Sequence, residues 1–213
     1  MNLPAACEPD RRNLAAIERY YRMHARIYDL TRWTFLRGRE ALIKQVAASL
    51  NPNRILEVGC GTGTNLLNLG NAFPRAHLCG LDLSTDMLAV AGKKLRTLPR
   101  RPTLVQAAYD QPVAAATKFD LVVFSYALSM FGPGCERAIR SAGSDLTPHG
   151  AIAVVDFHDS VFPGFKKWLG FNHVRLDGHL LPILRSRFPS HKWAVRPAYG
   201  GIWSYFFFLG QNQ

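Results

Sequence analysis

The spacing of apolar residues changes along this chain, and the change falls at Asn51-Pro52-Asn53. Before it, Leu14, Ile17, Tyr21, His24 and Tyr28 follow the i, i+3, i+4, i+7 pattern of one helix face, with Arg19, Arg22 and Arg26 roughly opposite. Thr31 or Thr34 can cap a second helix, predicted to run through Gly38 towards Leu50. After the break, residues 54–58 form a short apolar run ending in glycines, the mark of a buried strand. Further strands are predicted at 77–81, 103–107, 119–125 and 151–156. Helices are predicted at 64–73, stopped by Pro74, at 85–98, capped by Ser84 with Asp86 in its first turn, and at 133–146. The last is entered through Gly132-Pro133 and left through Pro148-His149-Gly150. Residues 160–189 are irregular and predict helical pieces over the functional site. The tail segments 192–196 and 202–209, parted by Pro197 and Gly200-Gly201, read as an antiparallel hairpin.

Strands alternating with helices predict an α/β fold, with a mostly parallel sheet covered on both faces. The expected organisation is a helical lid over residues 1–50 and a Rossmann-like core over 51–213, together one domain. Composition fits: 48% of the 213 residues are hydrophobic and 19% charged, as in ordinary globular proteins. The longest apolar runs, 151–155 and 206–209, fall far short of the about 20 residues a membrane-spanning helix needs. No apolar signal region follows Met1, so a cytoplasmic location is expected. Cys7, Cys60, Cys79 and Cys135 have no metal-ligand spacing and read as reduced thiols, so no metal is expected. A net charge of +11 is the unusual bulk property. It draws a protein towards polyanions, either nucleic acid or an anionic membrane surface, or else serves solubility alone.

The candidate chemistry lies in Ile55-Leu56-Glu57-Val58-Gly59-Cys60-Gly61-Thr62-Gly63, a strand delivering the chain to a glycine-rich turn that opens a helix. A dinucleotide fingerprint would be GxGxxG aimed at a pyrophosphate. Here the pattern is GxGxG, and Glu57, two residues before the first glycine, would repel a pyrophosphate. A carboxylate there suits a cationic ligand, such as one bearing a sulfonium and an α-ammonium. Asp82 ends the next strand, roughly 20 residues on, where an acid meets the two hydroxyls of a ribose. Its alternative role as a helix cap is already filled by Ser84.

On these residues the chain resembles motifs I and II of class I S-adenosylmethionine-dependent methyltransferases, over roughly residues 50–157. The resemblance implies a seven-stranded, mostly parallel sheet ending in an antiparallel hairpin. It implies S-adenosyl-L-methionine as cofactor and S-adenosyl-L-homocysteine as product. It places Gly59 and Gly61 against the amino-acid part of the cofactor, Asp82 at the ribose, and Leu83 and Met87 beside the adenine. Cys60, Thr62 and Asn65 of the turn and following helix, and Tyr28 and Ser125, complete the implied cofactor set. Many members carry an acid after the third strand for the adenine amino group. This chain has Gln106-Ala107-Ala108, so the Gln106 side chain or the backbone of Ala107 or Ala108 takes that place.

The Tyr-Asp pair at 28–29 resembles methyltransferases of small molecules and lipid headgroups, whose N-terminal helix covers the cofactor. The pattern from Tyr28-Asp29-Leu30-Thr31-Arg32 through Gly38-Arg39, residues 172–182 and the tail Gly201-Ile202-Trp203-Ser204-Tyr205 are similar to the betaine-lipid N-methyltransferases, which trimethylate diacylglyceryl-homoserine. That implies an amino-lipid substrate and a partner enzyme that makes the homoserine lipid. Bacterial phosphatidylethanolamine N-methyltransferases are close alternatives. In the lipid reading, Arg19, Arg22, Arg26, Arg32, Arg37 and Arg39 would dock the protein peripherally on an anionic membrane, with Trp33, Phe35 and Leu36 inserting beside them. The plainer alternative is a solvated helix face with its aromatics in the core.

Methyl transfer to an amine needs the amine deprotonated, so an imidazole or carboxylate near the acceptor helps. Candidates are His158, just after Asp156, and the group His173, Asp177 and His179. Arg175 is a natural partner for a homoserine carboxylate. Tyr21, Tyr28 and Tyr126 offer aromatic faces for a quaternary ammonium. The Asn/Asp-Pro-Pro-Tyr of amino-methylating nucleic-acid and protein enzymes is absent, so no nucleic-acid partner is expected. A methyltransferase of RNA or of a soluble metabolite, and a non-catalytic cofactor-binding protein, are the competing functions.

Overall fold

A computed structural model describes residues 36–114, 117–171 and 174–212. Seven strands form one sheet: β1 (Arg54–Val58), β2 (His77–Asp82), β3 (Thr103–Gln106), β4 (Phe119–Ser125), β5 (Leu146–Phe157), β6 (His191–Ala198) and β7 (Trp203–Gln211). The helices of the described residues are α1 (Arg39–Ser49), α2 (Thr64–Ala72), α3 (Thr85–Lys94), α4 (Cys135–Asp145), α5 (Pro163–Phe171) and α6 (Leu180–Arg187). The sheet order is β3-β2-β1-β4-β5-β7-β6. Strands β1 to β5 pair in parallel, whereas β7 runs antiparallel to both β5 and β6. The expected seven-stranded sheet with an antiparallel end is therefore the one observed. Strand order reverses between β1 and β4, and the carboxyl ends of strands flanking such a reversal are where open α/β sheets hold ligands.

Two-residue periodicity splits the core between the two faces. Ile55, Leu121 and Val123 pack with Leu42, Val46, Leu66 and Ala91, from α1, α2 and α3. Leu56, Val122 and Phe124 pack on the other face with Ala138, Ile139, Leu180 and Leu184, from α4 and α6. The hairpin continues this division: Phe206 and Phe208 of β7 are fully buried, each worth about 1.5–3 kcal/mol. No helix among the described residues is long and apolar enough to cross a membrane.

Several boundaries differ from the sequence reading for local physical reasons. The second N-terminal helix does not run through Gly38. Gly38 is its N-cap, with φ 86°, and a Cβ there would fall 2.6 Å from the Tyr205 ring and 2.7 Å from the Phe207 ring. The chain must turn tightly against β7 at this point, which glycine alone allows cheaply. Helix α1 itself sits within the core through Leu42, Ile43 and Val46, and Leu36 is buried there too rather than free to insert into a membrane. Helix α3 ends at Lys94 and tightens into a 3-10 turn over Leu95–Thr97. Pro148-His149-Gly150 is not a loop but lies within β5, where the pairing with β4 shifts register between Phe119 and Leu121. The 160–189 segment is helical in two pieces, as expected, but α6 lies against α4 and β7 rather than over the site.

Candidate functional site

The glycine turn after β1 is tied to the end of β2. Gly59 N and Cys60 N donate to Leu81 O at 2.8 and 3.0 Å, and Gly61 N donates to Asp82 Oδ2 at 2.7 Å. Asp82 Oδ1 accepts from Ser84 N at 2.9 Å, while the Ser84 hydroxyl caps α3 by accepting from Met87 N at 3.3 Å. Asp82 therefore holds two loops at the carboxyl edge, and burial raises its carboxyl above the ordinary range against the pull of these hydrogen bonds. Gly59 has φ 70°, and a Cβ there would stand 2.7 Å from that of Ala127, so the turn is pressed against the loop after β4. A Cβ on Gly61 would meet nothing within 4 Å, so this side of the turn faces open space.

Glu57 is buried to 1% exposure at the end of β1. Its Oε1 accepts from Asn65 Nδ2 at 2.8 Å, but Glu57 Oε2 and Asn65 Oδ1 are buried without a partner. Burial pushes the Glu57 carboxyl up to about 7, while Asn65 and the Arg39 charge pull it back and Asp82 adds to the rise. A buried acid with an unmatched oxygen is a place prepared for a cation. The nearby Arg39, from the start of α1, donates from Nε to Ser125 Oγ at 2.9 Å, and its guanidinium lies 6.0 Å from the Tyr126 ring centre. One acid and one guanidinium thus lie at the carboxyl ends of β1 and β4, a charge pattern that complements an α-amino acid.

The other cofactor candidates lie along the carboxyl ends of β1, β2 and β3. The Cys60 thiol is buried and held neutral by burial and by the Glu57 and Asp82 charges. Lys94 Nζ donates to Thr62 Oγ1 at 3.3 Å and to Thr64 Oγ1 at 2.6 Å, tying the turn to α3. Leu83 is half-buried and Met87 buried beside Asp82. Gln106 Nε2 donates to Leu83 O at 3.3 Å and Ala107 N to Asp82 O at 3.2 Å. This engages the Ala107 N–H and one amide N–H of Gln106 on the β2 loop.

At the β4–β5 end, Tyr126 adopts φ 56°, packs its ring edge-on to Phe157 at 4.8 Å and donates from its hydroxyl to Arg37 O at 2.6 Å. It fixes the 37–39 segment, with Arg39 over its face, rather than offering that face to a ligand. Asp177 joins two side chains: Oδ2 accepts from Arg175 Nε at 2.7 Å and Oδ1 pairs with His179 Nδ1. Burial opposes ionisation of Asp177, but the hydrogen bonds from Arg175 and His179 outweigh it and hold the carboxyl below its ordinary value. His179 Nε2 and His158 Nδ1 are both buried without a partner. His158 lies at the end of β5, and its backbone carbonyl accepts from Gly178 N at 2.7 Å. Arg175 N donates to Ser129 O at 2.9 Å, which brings the 175–179 segment to the carboxyl edge. Tyr21, Tyr28 and His173 lie outside the described residues.

Four groups carry weight that the sequence reading does not give them. Arg39, which the sequence offers as either a membrane-docking or a solvated residue, is committed to Ser125, 86 positions away, a contact no local pattern signals. Arg37 likewise stacks 5.0 Å above Tyr199. Asp156 is fully buried, accepts from Ser129 N at 3.1 Å and Phe157 N at 2.8 Å, and is pushed up to about 6 by burial. Asp145 anchors the loop after β3 by accepting from the Tyr109 hydroxyl at 2.7 Å, Val113 N at 3.0 Å and Ala114 N at 2.8 Å.

Residues 55–150 match a family model described as a methyltransferase domain. Among curated proteins, the chain is 31% identical over 127 residues to a ubiquinone/menaquinone biosynthesis C-methyltransferase of Syntrophotalea carbinolica, covering 60% of this chain and 53% of that protein. It is 33% identical over 120 residues to a malonyl-[acyl-carrier protein] O-methyltransferase of Magnetococcus marinus, covering 55% of this chain and 42% of that one. The chain thus spans about half the length of the curated relatives it matches. Similar solved structures include the N-methyltransferase NodS of Bradyrhizobium japonicum with S-adenosylhomocysteine, with TM-score 0.67 and 16% identity over 83% of this chain and 86% of that one. A phosphoethanolamine N-methyltransferase of Haemonchus contortus matches with TM-score 0.75 and 14% identity, over 98% of this chain and 60% of that one. The fold is that of the class I methyltransferases.

Proposed function

We propose that this chain, with its methyltransferase domain over residues 55–150, is an S-adenosylmethionine-dependent methyltransferase whose acceptor is the amino headgroup of a membrane lipid, of the diacylglyceryl-homoserine kind. The observation that carries the cofactor assignment is the buried, unmatched Glu57 Oε2, on the strand that leads into a glycine turn whose Gly61 has an open face. The residues fit the group. Glu57 would receive its α-ammonium, Arg39 its α-carboxylate and Asp82 its ribose hydroxyls. Half-buried Leu83 offers apolar surface to the adenine, whereas Met87, 1% exposed, belongs to the core beneath. The cofactor supplies an electrophilic methyl on a sulfonium.

The protein's own part is to align a nucleophile, remove its proton and exclude water. His179 is suited to the proton. Asp177 holds its Nδ1 side, which leaves Nε2 as the basic nitrogen, and that atom is buried without a competing partner. Arg175, drawn to the same edge, provides positive charge for an acidic headgroup such as homoserine. The peripheral membrane location and the homoserine-lipid-making partner enzyme belong to this same proposal, supported by the net charge of +11 and the resemblance of the N-terminal segment.

A second reading keeps the cofactor but changes the acceptor atom. The curated relatives at 31% and 33% identity are named as C- and O-methyltransferases, which favours a carbon or oxygen acceptor on a soluble or carrier-bound metabolite. Incubation of the protein with methyl-labelled cofactor and amino-lipid vesicles, followed by mass spectrometry of the lipids, separates the readings. Labelled methyl groups on lipid nitrogen support the first. Cofactor binding with no labelled amino lipid overturns it.

A further inference from the structure

Five of the exposed large hydrophobic side chains lie on two neighbouring segments, apart from exposed Trp193, Val105 and Val113. Val161 is 79% exposed, Phe162 and Trp168 each 51%, and Tyr199 and Ile202 each 42%. Two segments build this patch, the entry to α5 and the β6–β7 turn, and they are joined directly. Ser160 Oγ donates to Ile202 O at 2.5 Å and accepts from Phe162 N at 3.1 Å. Asp159 O accepts from Ser204 N at 2.7 Å. Helix α5 is anchored beneath by buried Leu169, while Phe165 and Trp168 stack at 5.8 Å. The exposed Val161, Phe162 and Ile202 therefore sit on segments tied firmly to each other.

Cations interleave with them. Lys167 is exposed on α5, Lys166 bonds Asp159 at 2.6 Å, and Arg37 lies 5.0 Å over the Tyr199 ring. Aromatic and aliphatic tips set among lysines and arginines suit the headgroup boundary of an anionic bilayer. The charge of the whole chain, +11, has the same sign as the patch. A protein partner of matching shape would more often cover an apolar centre with few charges in it. The patch also adjoins the site: His158 N donates to Ser204 O at 2.8 Å, so the β6–β7 turn borders the acceptor end of the sheet.

We propose that the α5 entry and the β6–β7 turn form a membrane-docking surface for anionic lipid, with Val161, Phe162, Trp168 and Ile202 entering the headgroup boundary and Lys167 and Arg37 meeting lipid charge. This extends the lipid-headgroup reading, but it is a binding claim and is tested apart from methyl transfer. The probe is sedimentation of the full chain, without cofactor, with vesicles of phosphatidylcholine alone or with about one-third phosphatidylglycerol. Binding is expected to the anionic vesicles, to weaken with salt, and to shift the emission of Trp168 to the blue; a Trp168→Phe variant assigns that shift. The double variant Val161→Ser, Phe162→Ser is expected to weaken binding about tenfold or more, and Lys167→Glu about fivefold or more. Calorimetry with S-adenosylhomocysteine should be unaltered in these variants, showing that the fold and cleft are intact. Vesicle binding equal to wild type in both variants overturns the proposal. So does the absence of vesicle binding together with concentration-dependent self-association that the variants abolish, which would make the patch an interface between copies. Docking without any methylated amino lipid leaves this surface standing and removes the lipid-substrate reading alone.

Discussion

Glu57 Oε1 accepts from Asn65 Nδ2 at 2.8 Å, while the other carboxylate oxygen is buried with nothing to receive. Leaving a charge buried and partly unmatched costs folding free energy, and a ligand ammonium recovers it on binding.

The sign of the resulting pH dependence follows from the direction of the shift. Glu57 goes from its ordinary 4.5 to about 7 in the folded protein, raised by burial. Between those values the folded chain holds a proton that the unfolded chain has lost. Stability therefore falls as pH rises through this window, by about 3 kcal/mol from this group. Asp156, raised from 3.8 to about 6 by burial, acts in the same direction. Thermal unfolding between about pH 5 and pH 8 should show the decline, and Glu57→Gln should reduce it, with a higher Tm than wild type at the alkaline end. The same variant should lose at least about tenfold in cofactor affinity. A Glu57→Gln protein less stable than wild type at pH 8 would contradict this assignment.

Asp82→Ala removes the acceptor that receives Gly61 N at 2.7 Å and Ser84 N at 2.9 Å. The expected cost is about 1–3 kcal/mol of stability, since these backbone donors lose their partner. Circular dichroism should report a folded protein, and calorimetry no measurable cofactor binding. Retained affinity would place the ribose elsewhere.

Gly59→Ala forces a Cβ into a backbone with φ 70° and to within 2.7 Å of the Ala127 side chain. Strain of about 1–3 kcal/mol is expected in denaturant unfolding, with cofactor affinity reduced because the turn must shift. Gly61→Ala shares a positive φ of 52° but has nothing within 4 Å of its Cβ. Its added methyl should harm binding more than it harms stability, and a reversed order of these effects would contradict the placement of the open face.

Asp177→Asn keeps the shape of the Asp177–His179 contact but removes the charge that orients and supports an imidazolium. With an acceptor in hand, kcat should fall on the order of a hundredfold with cofactor affinity unchanged, and its pH profile should shift. An unaltered profile would assign the proton to another group, with His158 the next to test.

The sheet was legible in the sequence because buried parallel strands are short apolar runs bounded by turns, as at 54–58 and 119–125. The glycine turn and Asp82 were legible because their chemistry is local and falls at a fixed place after a strand. Arg39 was not, because its partner Ser125 is distant in sequence and a surface-like arginine pattern surrounds it. Gly38 looks like a helix interior in the sequence, because the rings of Tyr205 and Phe207 that forbid a Cβ there come from the far end of the chain. The docking patch escaped for a related reason: Phe162 and Ile202 meet only through Ser160, and neither segment is conspicuous alone.

The most direct test of the central claim, that Glu57, Arg39 and Asp82 line one pocket for a nucleoside bearing an α-amino acid, is isothermal titration of the wild-type protein with S-adenosylhomocysteine in two buffers of different ionisation enthalpy. Binding is expected near one site per chain. Near neutral pH it should release part of a proton, as the ligand ammonium ionises Glu57, and Glu57→Gln should abolish that release. Absence of binding, or binding with no linked proton, would contradict the account.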